Sequence, residues 1–258
     1  MILQILGCGT STGVPLPGCT CRVCTSGKLQ NERLRTSGLI RLDSGRNILI
    51  DASTDLRQQA LKWKVSRVDA LLVTHPHADH ILGIDDLRCF NFVQRASIPC
   101  YGNRSTLDRI RRTFAYIFEP DPDYQGGGLP QVTLQEIQDE IPFTAAGASI
   151  QPFPLEHGGI TVLGYRIGEL AYATDCKRIP ENSRKILKGV KVLVLDGLRY
   201  EAHRTHMTID EAVSVAAELG IRRTVLTHMT HNVDFDEVSA RLPRQVELAY
   251  DGLEIEFS

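Results

Sequence analysis

Short apolar runs of five to seven residues recur along most of the chain, and they limit what it can fold into. The runs are ILQIL (2–6), GLIRL (38–42), NILID (47–51), DALLVT (69–74), SIQPFPL (149–155), TVLGYRI (161–167), LAYATD (170–175), KVLVLD (191–196), RTVLTH (223–228) and LEIEF (253–257). Some alternate and others are continuously apolar, so they predict strands buried on one face and strands buried on both. Helical patterns lie between them. One covers 53–63, with Ser53 or Thr54 as N-cap, and another covers 208–220, opened by a Thr208-x-x-Glu211 capping box and closed by Gly220. Shorter ones are expected near 103–115, 180–188 and 234–241. Strands and helices interleaved in this way predict an α/β sandwich with mixed sheets. The stretch EPDPDYQGGGLPQ (119–131) reads as a surface excursion, because no shift in composition follows it. One domain over 1–258 is therefore expected, and no sequence repeat is visible.

The run DALLVT leads directly into His75-Pro-His77-Ala-Asp79-His80. Three of the eight histidines and a carboxylate thus fall within six positions, where strand ends in α/β proteins gather ligands. A polar solvated loop would be the simpler explanation, but imidazole and carboxylate at this density fit a metal centre better. His75 and His77 are two apart and project to one side of an extended segment, while Asp79 and His80 diverge. Three more strand-end residues complete the set: His157 after IQPFPLE, Asp175 closing LAYATD and His228 closing RTVLTH. Taken singly, each is most simply a hydrogen-bonded turn residue. Together, five histidines and two aspartates describe a site for two metals with an aspartate bridge.

A second cluster, Cys19-x-Cys21-x-x-Cys24, is too tight for three independent core thiols and is not at the start of a helix, as a redox pair would be. Metal is the sharper reading and a reduced, metal-free loop the plainer one. Cys8, Cys89, Cys100 and Cys176 sit in apolar contexts and are expected in the core, with Cys176 pointing away from Asp175 along a strand.

The order H-x-H-x-D-H, then His, Asp and His at strand ends, resembles the metallo-β-lactamase superfamily. GCGTSTGVP (7–15), GCTCRVC (18–24), ILIDAS (48–53), YATD (172–175) and THMTH (227–231) narrow the likeness, over essentially the whole chain, to the PhnP-type phosphoribosyl cyclic phosphate phosphodiesterases. That resemblance implies a four-layer αββα sandwich. It assigns His75, His77 and His157 to one metal and Asp79, His80 and His228 to a second, with Asp175 bridging. The ions would be Mn2+ or Zn2+. It implies a structural zinc on Cys19, Cys21, Cys24 and His231, in a loop near 18–25. The reaction implied is hydrolysis of a small, cyclic phosphodiester by a metal-bridging hydroxide, with His206 or Asp79 as proton donor and His203 a loop residue. Asp51, in DAST where many relatives have Asp-x-Gly, is expected to support the histidine loop from behind.

A net charge of −2 announces no nucleic-acid partner, and the three arginines of DRIRRTF (108–114) are expected on a solvated helix face. A tRNA 3′-processing nuclease nevertheless stays the nearest rival, followed by a thioester or lactone hydrolase and by a non-catalytic metal-binding protein. No apolar run approaches the ~18 residues of a membrane span. The first run reads as a strand and not as a signal peptide. With cysteines spent on metal, a cytoplasmic setting is expected, with a small-molecule substrate and a homodimer as the default.

Overall fold

The computed structural model describes residues 1–258. Its first sheet contains β1 (Ile2–Gly7), β2 (Ser37–Arg41), β3 (Asn47–Ile50), β4 (Ala70–Leu72), β5 (Ile98–Gly102) and β6 (Val132–Glu136). The second contains β7 (Phe143–Ala145), β8 (Ala148–His157), β9 (Ile160–Ile167), β10 (Leu170–Ala173), β11 (Val192–Asp196), β12 (Arg223–Thr227) and β13 (Val246–Leu248). The last strand, β14 (Glu254–Glu256), returns to pair with β1. The spatial orders are β14-β1-β2-β3-β4-β5-β6 and β13-β12-β11-β10-β9-β8-β7. The two sheets share one plan. In each, three antiparallel pairings are followed by three parallel ones, which begin at β3–β4 and at β10–β11. The repetition lies in topology alone.

Continuously apolar strands are explained by what covers their faces. In β3 and β4, Ile48, Ile50, Ala70 and Leu72 join the core between the sheets, whereas Leu49 and Leu71 join a second core beneath helices. That second core receives α1 (Leu56–Lys62), α3 (Leu87–Gln94) and α4 (Arg104–Thr113). The short α2 (Ala78–Ile81) and α5 (Ala115–Phe118) flank these. On the opposite side, α6 (Glu181–Ile186), α7 (Ile209–Glu218) and α8 (Phe235–Ser239) complete the sandwich, with Ile209 and Ala212 of α7 in the main core. Helix–sheet–sheet–helix is the expected architecture.

Local details differ from expectation in places. α1 starts at Leu56, later than expected, because Ser53 is buried and bonds Gln59 and the Asp55 amide instead of capping a helix at 54. The helix expected at 103–115 breaks at Phe114, and its N-cap is Asn103, which accepts from the Thr106 amide. The capping box of α7 is present on both sides. Strands β6, β7 and β13 carry no strong apolar pattern and were not expected. Cys8, Cys100 and Cys176 are buried, but Cys89 is exposed on α3. Cys176 lies beyond the end of β10, so strand alternation does not direct it. Arg109, Arg111 and Arg112 are exposed on α4, while Leu107 and Ile110 face inward. The 119–131 excursion returns at Gln131, whose carbonyl accepts from Ser97 and Ile98 at the start of β5. That is the opposite end of the sheet from residues 73–80.

Near the chain's end, Asp251 accepts bonds from the amides of Cys8 (3.1 Å) and Leu34 (2.8 Å). Burial outweighs those bonds and pushes its carboxyl up to about 6. A raised folded pKa favours the protonated form. The stabilisation it gives is complete below the unfolded value near 3.9 and is lost as pH rises through about 6. A carbon-detected NMR titration should find the Asp251 midpoint near 6; a midpoint near 4 would show that the amide bonds win.

Candidate metal centre

Seven side chains from four separate segments meet where the C-terminal ends of the parallel strands of both sheets converge. His75, His77, Asp79 and His80 follow β4; Asp175 follows β10, His228 follows β12, and His157 closes β8. The donor atoms of His75, His77, His157 and Asp175 lie within 4.8 Å of one another, as do those of Asp79, His80 and His228. Asp175 stands between the groups. Its Oδ1 is 3.3 Å from His80 Nε2, and its Oδ2 is 3.3 Å from His228 Nε2 and 3.7 Å from His75 Nε2. The structure brings all seven of the expected residues into one place.

Two of these residues, Asp175 (φ 51°) and His228 (φ 61°), hold left-handed backbone, as does Asp51 (φ 59°) just after β3. For side chains with a Cβ this conformation is sparsely populated and tends to persist where a site demands it. Here it turns the chain out of a buried strand so that the side chain faces the centre.

The outer hydrogen bonds fix which ring nitrogen each histidine presents. His80 Nδ1 donates to Asp51 Oδ2 (2.7 Å) and His157 Nδ1 to the Thr205 carbonyl (2.9 Å). Thr74 Oγ1 donates to Asp51 Oδ2 (2.8 Å), which leaves it to accept from His75 Nδ1 (3.0 Å). In the neutral form of each ring Nε2 is therefore the unprotonated nitrogen, the form a metal ligand needs. Asp51, expected as a support, orients both His80 and, through Thr74, His75.

Electrostatics at the centre follow from its composition. Burial pushes His75, His77 and His157 below the usual imidazole range. Burial likewise opposes charge on His80 and His228, but the carboxylates around them win: Asp175, Asp51 and Asp79 drive His80 well up. Asp175 and Asp79 are held below the ordinary carboxylate range, against burial, by the same histidines. Four buried atoms decide what the arrangement can hold. His80 Nε2, both ring nitrogens of His228 and Asp196 Oδ1 have no hydrogen-bond partner. His80 Nε2 is 3.2 Å from Asp79 Oδ2 yet bonds neither it nor Asp175. Buried polar atoms left unpaired are costly. Converging nitrogen and oxygen lone pairs that decline to bond one another fit divalent cations well.

His206 is brought to the same place by the loop before α7. Its Nδ1 donates to Asp196 Oδ2 (2.7 Å), and its Nε2 lies 4.0 Å from Asp175 Oδ2. Asp196 is the functional residue that sequence reasoning missed, although it closes KVLVLD as Asp175 closes LAYATD. Its Oδ2 also accepts from the Cys176 amide (2.8 Å), so one oxygen carries both bonds and fixes the carboxylate at the strand end. Because the donor atoms of Asp175, His206 and His228 also lie within 4.8 Å, His206 is close enough to be a ligand as well as a proton donor. His203 is partly buried in the loop, its ring 5.1 Å from that of His206, and belongs to no donor group.

The second expected cluster is also assembled. Cys19, Cys21, Cys24 and His231 place their donor atoms within 4.8 Å, and both Cys19 Sγ and Cys21 Sγ are 3.4 Å from His231 Nδ1. The Cys24 amide and His231 lower the Cys21 thiol to about 6, whereas burial raises Cys24 to about 11. All seven cysteines are free thiols. A cleft of about 320 Å3 is lined by Thr10, Ser11, Thr12, Arg199 and His203 among others, and it touches both clusters' neighbourhoods through His206 and His231.

Residues 46–229 match the model of the β-lactamase superfamily domain. The chain belongs to the metallo-β-lactamase superfamily. A solved structure of a diphosphatase from the PhnP family superposes with a TM-score of 0.92 at 39% identity, covering all of this chain and 98% of that one. The superfamily fold alone is shared with zinc-bound PqqB of Methylobacterium extorquens, at a TM-score of 0.83, 21% identity and full coverage of both chains. Human tRNase Z, short form, matches at 0.71 and 20% identity over 99% of each chain. Among curated relatives, an octanoyltransferase of Porphyromonas gingivalis is 40% identical over 97% of this chain. This chain spans 50% of that relative's length, so the printed activity belongs to a protein about twice as long. Fold, donor clusters and relationship together make the chain a metal-dependent hydrolase of PhnP type. No helix is long and apolar enough to cross a membrane.

Proposed function

We propose that the protein is a dinuclear metal-dependent phosphodiesterase acting on small, cyclic phosphodiesters. His75, His77 and His157 would hold one ion, Asp79, His80 and His228 the other, and Asp175 both. Mn2+ or Zn2+ there would lower the pKa of a nearby water and offset charge on phosphoryl oxygens. Cys19, Cys21, Cys24 and His231 would hold a structural zinc.

The observation that carries the reading is the cleft beside the centre. Its walls present hydroxyls, the Arg199 guanidinium and imidazoles, and no carboxylate. A lining of donors without acidic groups suits an anionic ligand, and about 320 Å3 suits a small one. Hydrolysis requires water oxygen to bond phosphorus while one ester P–O bond breaks, and the leaving alkoxide to gain a proton. His206 would give it. Asp196 holds Nδ1–H, so Nε2 is the atom that faces the reacting group, and the carboxylate offsets the positive charge when the ring is protonated. Asp79, buried beside His80 and His228, is the other candidate for moving a proton.

A tRNA-processing nuclease shares the fold, but the 119–131 excursion here ends away from the site. Thioester chemistry has one observation in its favour, the name of the longer Porphyromonas relative. A hydrolysis screen on stripped protein with Mn2+ or Zn2+ restored separates the readings. Cyclic diesters, linear diesters, precursor tRNA, thioesters and lactones are the arms, and cyclic diesters should turn over fastest. Cleavage of thioesters or lactones without any diester would overturn the phosphodiesterase reading.

A further inference from the structure

The largest side chain fully withdrawn from solvent is not an aromatic but Arg33, 1% exposed. Its partners are carbonyl and amide oxygens, not carboxylates. Nη1 donates to the Thr230 carbonyl (3.2 Å), and Nη2 donates to the Val233 carbonyl (2.8 Å) and to Asn31 Oδ1 (3.2 Å). Burial of a guanidinium is costly, so its position calls for a purpose beyond filling space. Thr230 and Val233 straddle His231.

The backbone of Arg33 reaches the other half of the same cluster. Its amide and carbonyl pair with Val14 (2.7 and 2.8 Å), and two residues on, the Leu16 amide donates to Cys24 Sγ (3.3 Å). Asn31 reinforces the link. Its Nδ2 donates to Ser26 Oγ (3.1 Å), just past Cys24, and to Asp234 Oδ2 (3.2 Å), while its Oδ1 accepts from the Phe235 amide (2.9 Å). Burial lowers the guanidinium from its ordinary value, against the opposing pull of Cys8, Asp251, Asp234 and Cys24.

We propose that Arg33 is a positioning residue for the zinc ligand His231. Its side chain clasps the two carbonyls that straddle His231, and its backbone holds the root of the cysteine loop. This rests on the reading that the four-residue cluster takes zinc. Two segments some two hundred residues apart in sequence must meet in a tetrahedral arrangement. A prebuilt scaffold removes the loop-ordering cost from metal binding. The clasp works without metal, and it supplies a positive charge beside a thiolate-rich site.

The test uses Arg33→Met and Arg33→Lys in the full chain. Lysine keeps a charge but cannot span both carbonyls. Zinc competition against a chromophoric chelator should show affinity at the thiolate cluster reduced roughly 10- to 100-fold in both variants, the range typical for groups that orient ligands. The thiolate-to-Co2+ charge-transfer band should weaken in parallel, while the remaining metal content per chain is retained. If the wild-type band is present and either variant binds zinc within twofold of wild type, Arg33 is not a positioning residue although the zinc reading stands. If wild-type protein shows no such band, the zinc reading fails and the proposal goes with it. Wild-type-like scaffolding is tested independently of variant folding by Cys21→Ser, which removes a thiolate. Exchange of the Val233 amide should then stay at its wild-type rate. Acceleration would mean that metal, not Arg33, holds the loop.

Discussion

Replacing Asp175 with alanine should lower turnover on a cyclic diester on the order of 10³-fold and reduce metal content toward that of stripped protein. The size follows from the position of the carboxylate. Charge supplied by bound cations is worth several kcal/mol to a transition state of this kind, and about 4 kcal/mol is roughly 10³ in rate. Asp175 is the residue whose two oxygens approach His75, His80 and His228 together, so both proposed ions lose a ligand at once. Without it, His228 also loses the carboxylate nearest its Nε2, and His80 keeps only that of Asp79 there. Elemental analysis alongside kcat checks the result. A variant with full metal content and near-normal turnover would remove Asp175 from the centre.

His206→Ala should lower kcat by about 10²- to 10⁴-fold, the usual contribution of a placed proton donor, and leave metal content unchanged. Asp196→Asn addresses the same function one step back. An amide facing Nδ1 no longer guarantees that this nitrogen carries the proton, so the imidazole presents the wrong tautomer to the substrate. Combining the two changes should cost little more than His206→Ala alone, because they act as one unit. Loss of metal in His206→Ala would make the residue a ligand instead, as its distance to Asp175 and His228 allows.

Much of this site was legible in the sequence because the residue types and their positions carry the same message. His75 to His80 follow an apolar run that needs no decoding, and a strand buried on both faces ends where ligands gather. The missed elements have a common physical reason. β6, β7 and β13 are each the edge of a sheet, and an edge strand has neighbours on one side only. In β6 only Val132 of five residues is buried, so little hydrophobic pattern was there to find. Asp196 was hidden differently. An aspartate that touches no metal is distinguished from a turn residue only by the imidazole it meets, and His206 comes to it from another loop. Nor did the sequence disclose the left-handed backbone at Asp51, Asp175 and His228, since none of the three is the glycine that usually marks it. Cys89 looked like a core thiol because its neighbours in sequence are apolar, but an amphipathic helix puts such neighbours on different faces.

The twin plan of the sheets sets how binding and cohesion are joined. Everything up to β6 contributes His75, His77, Asp79, His80 and the three thiols; everything from β7 onward contributes His157, Asp175, His228 and His231. Neither portion owns a finished coordination sphere. Each cation would therefore rivet one portion to the other, adding local cross-links to the apolar core that the two sheets already share.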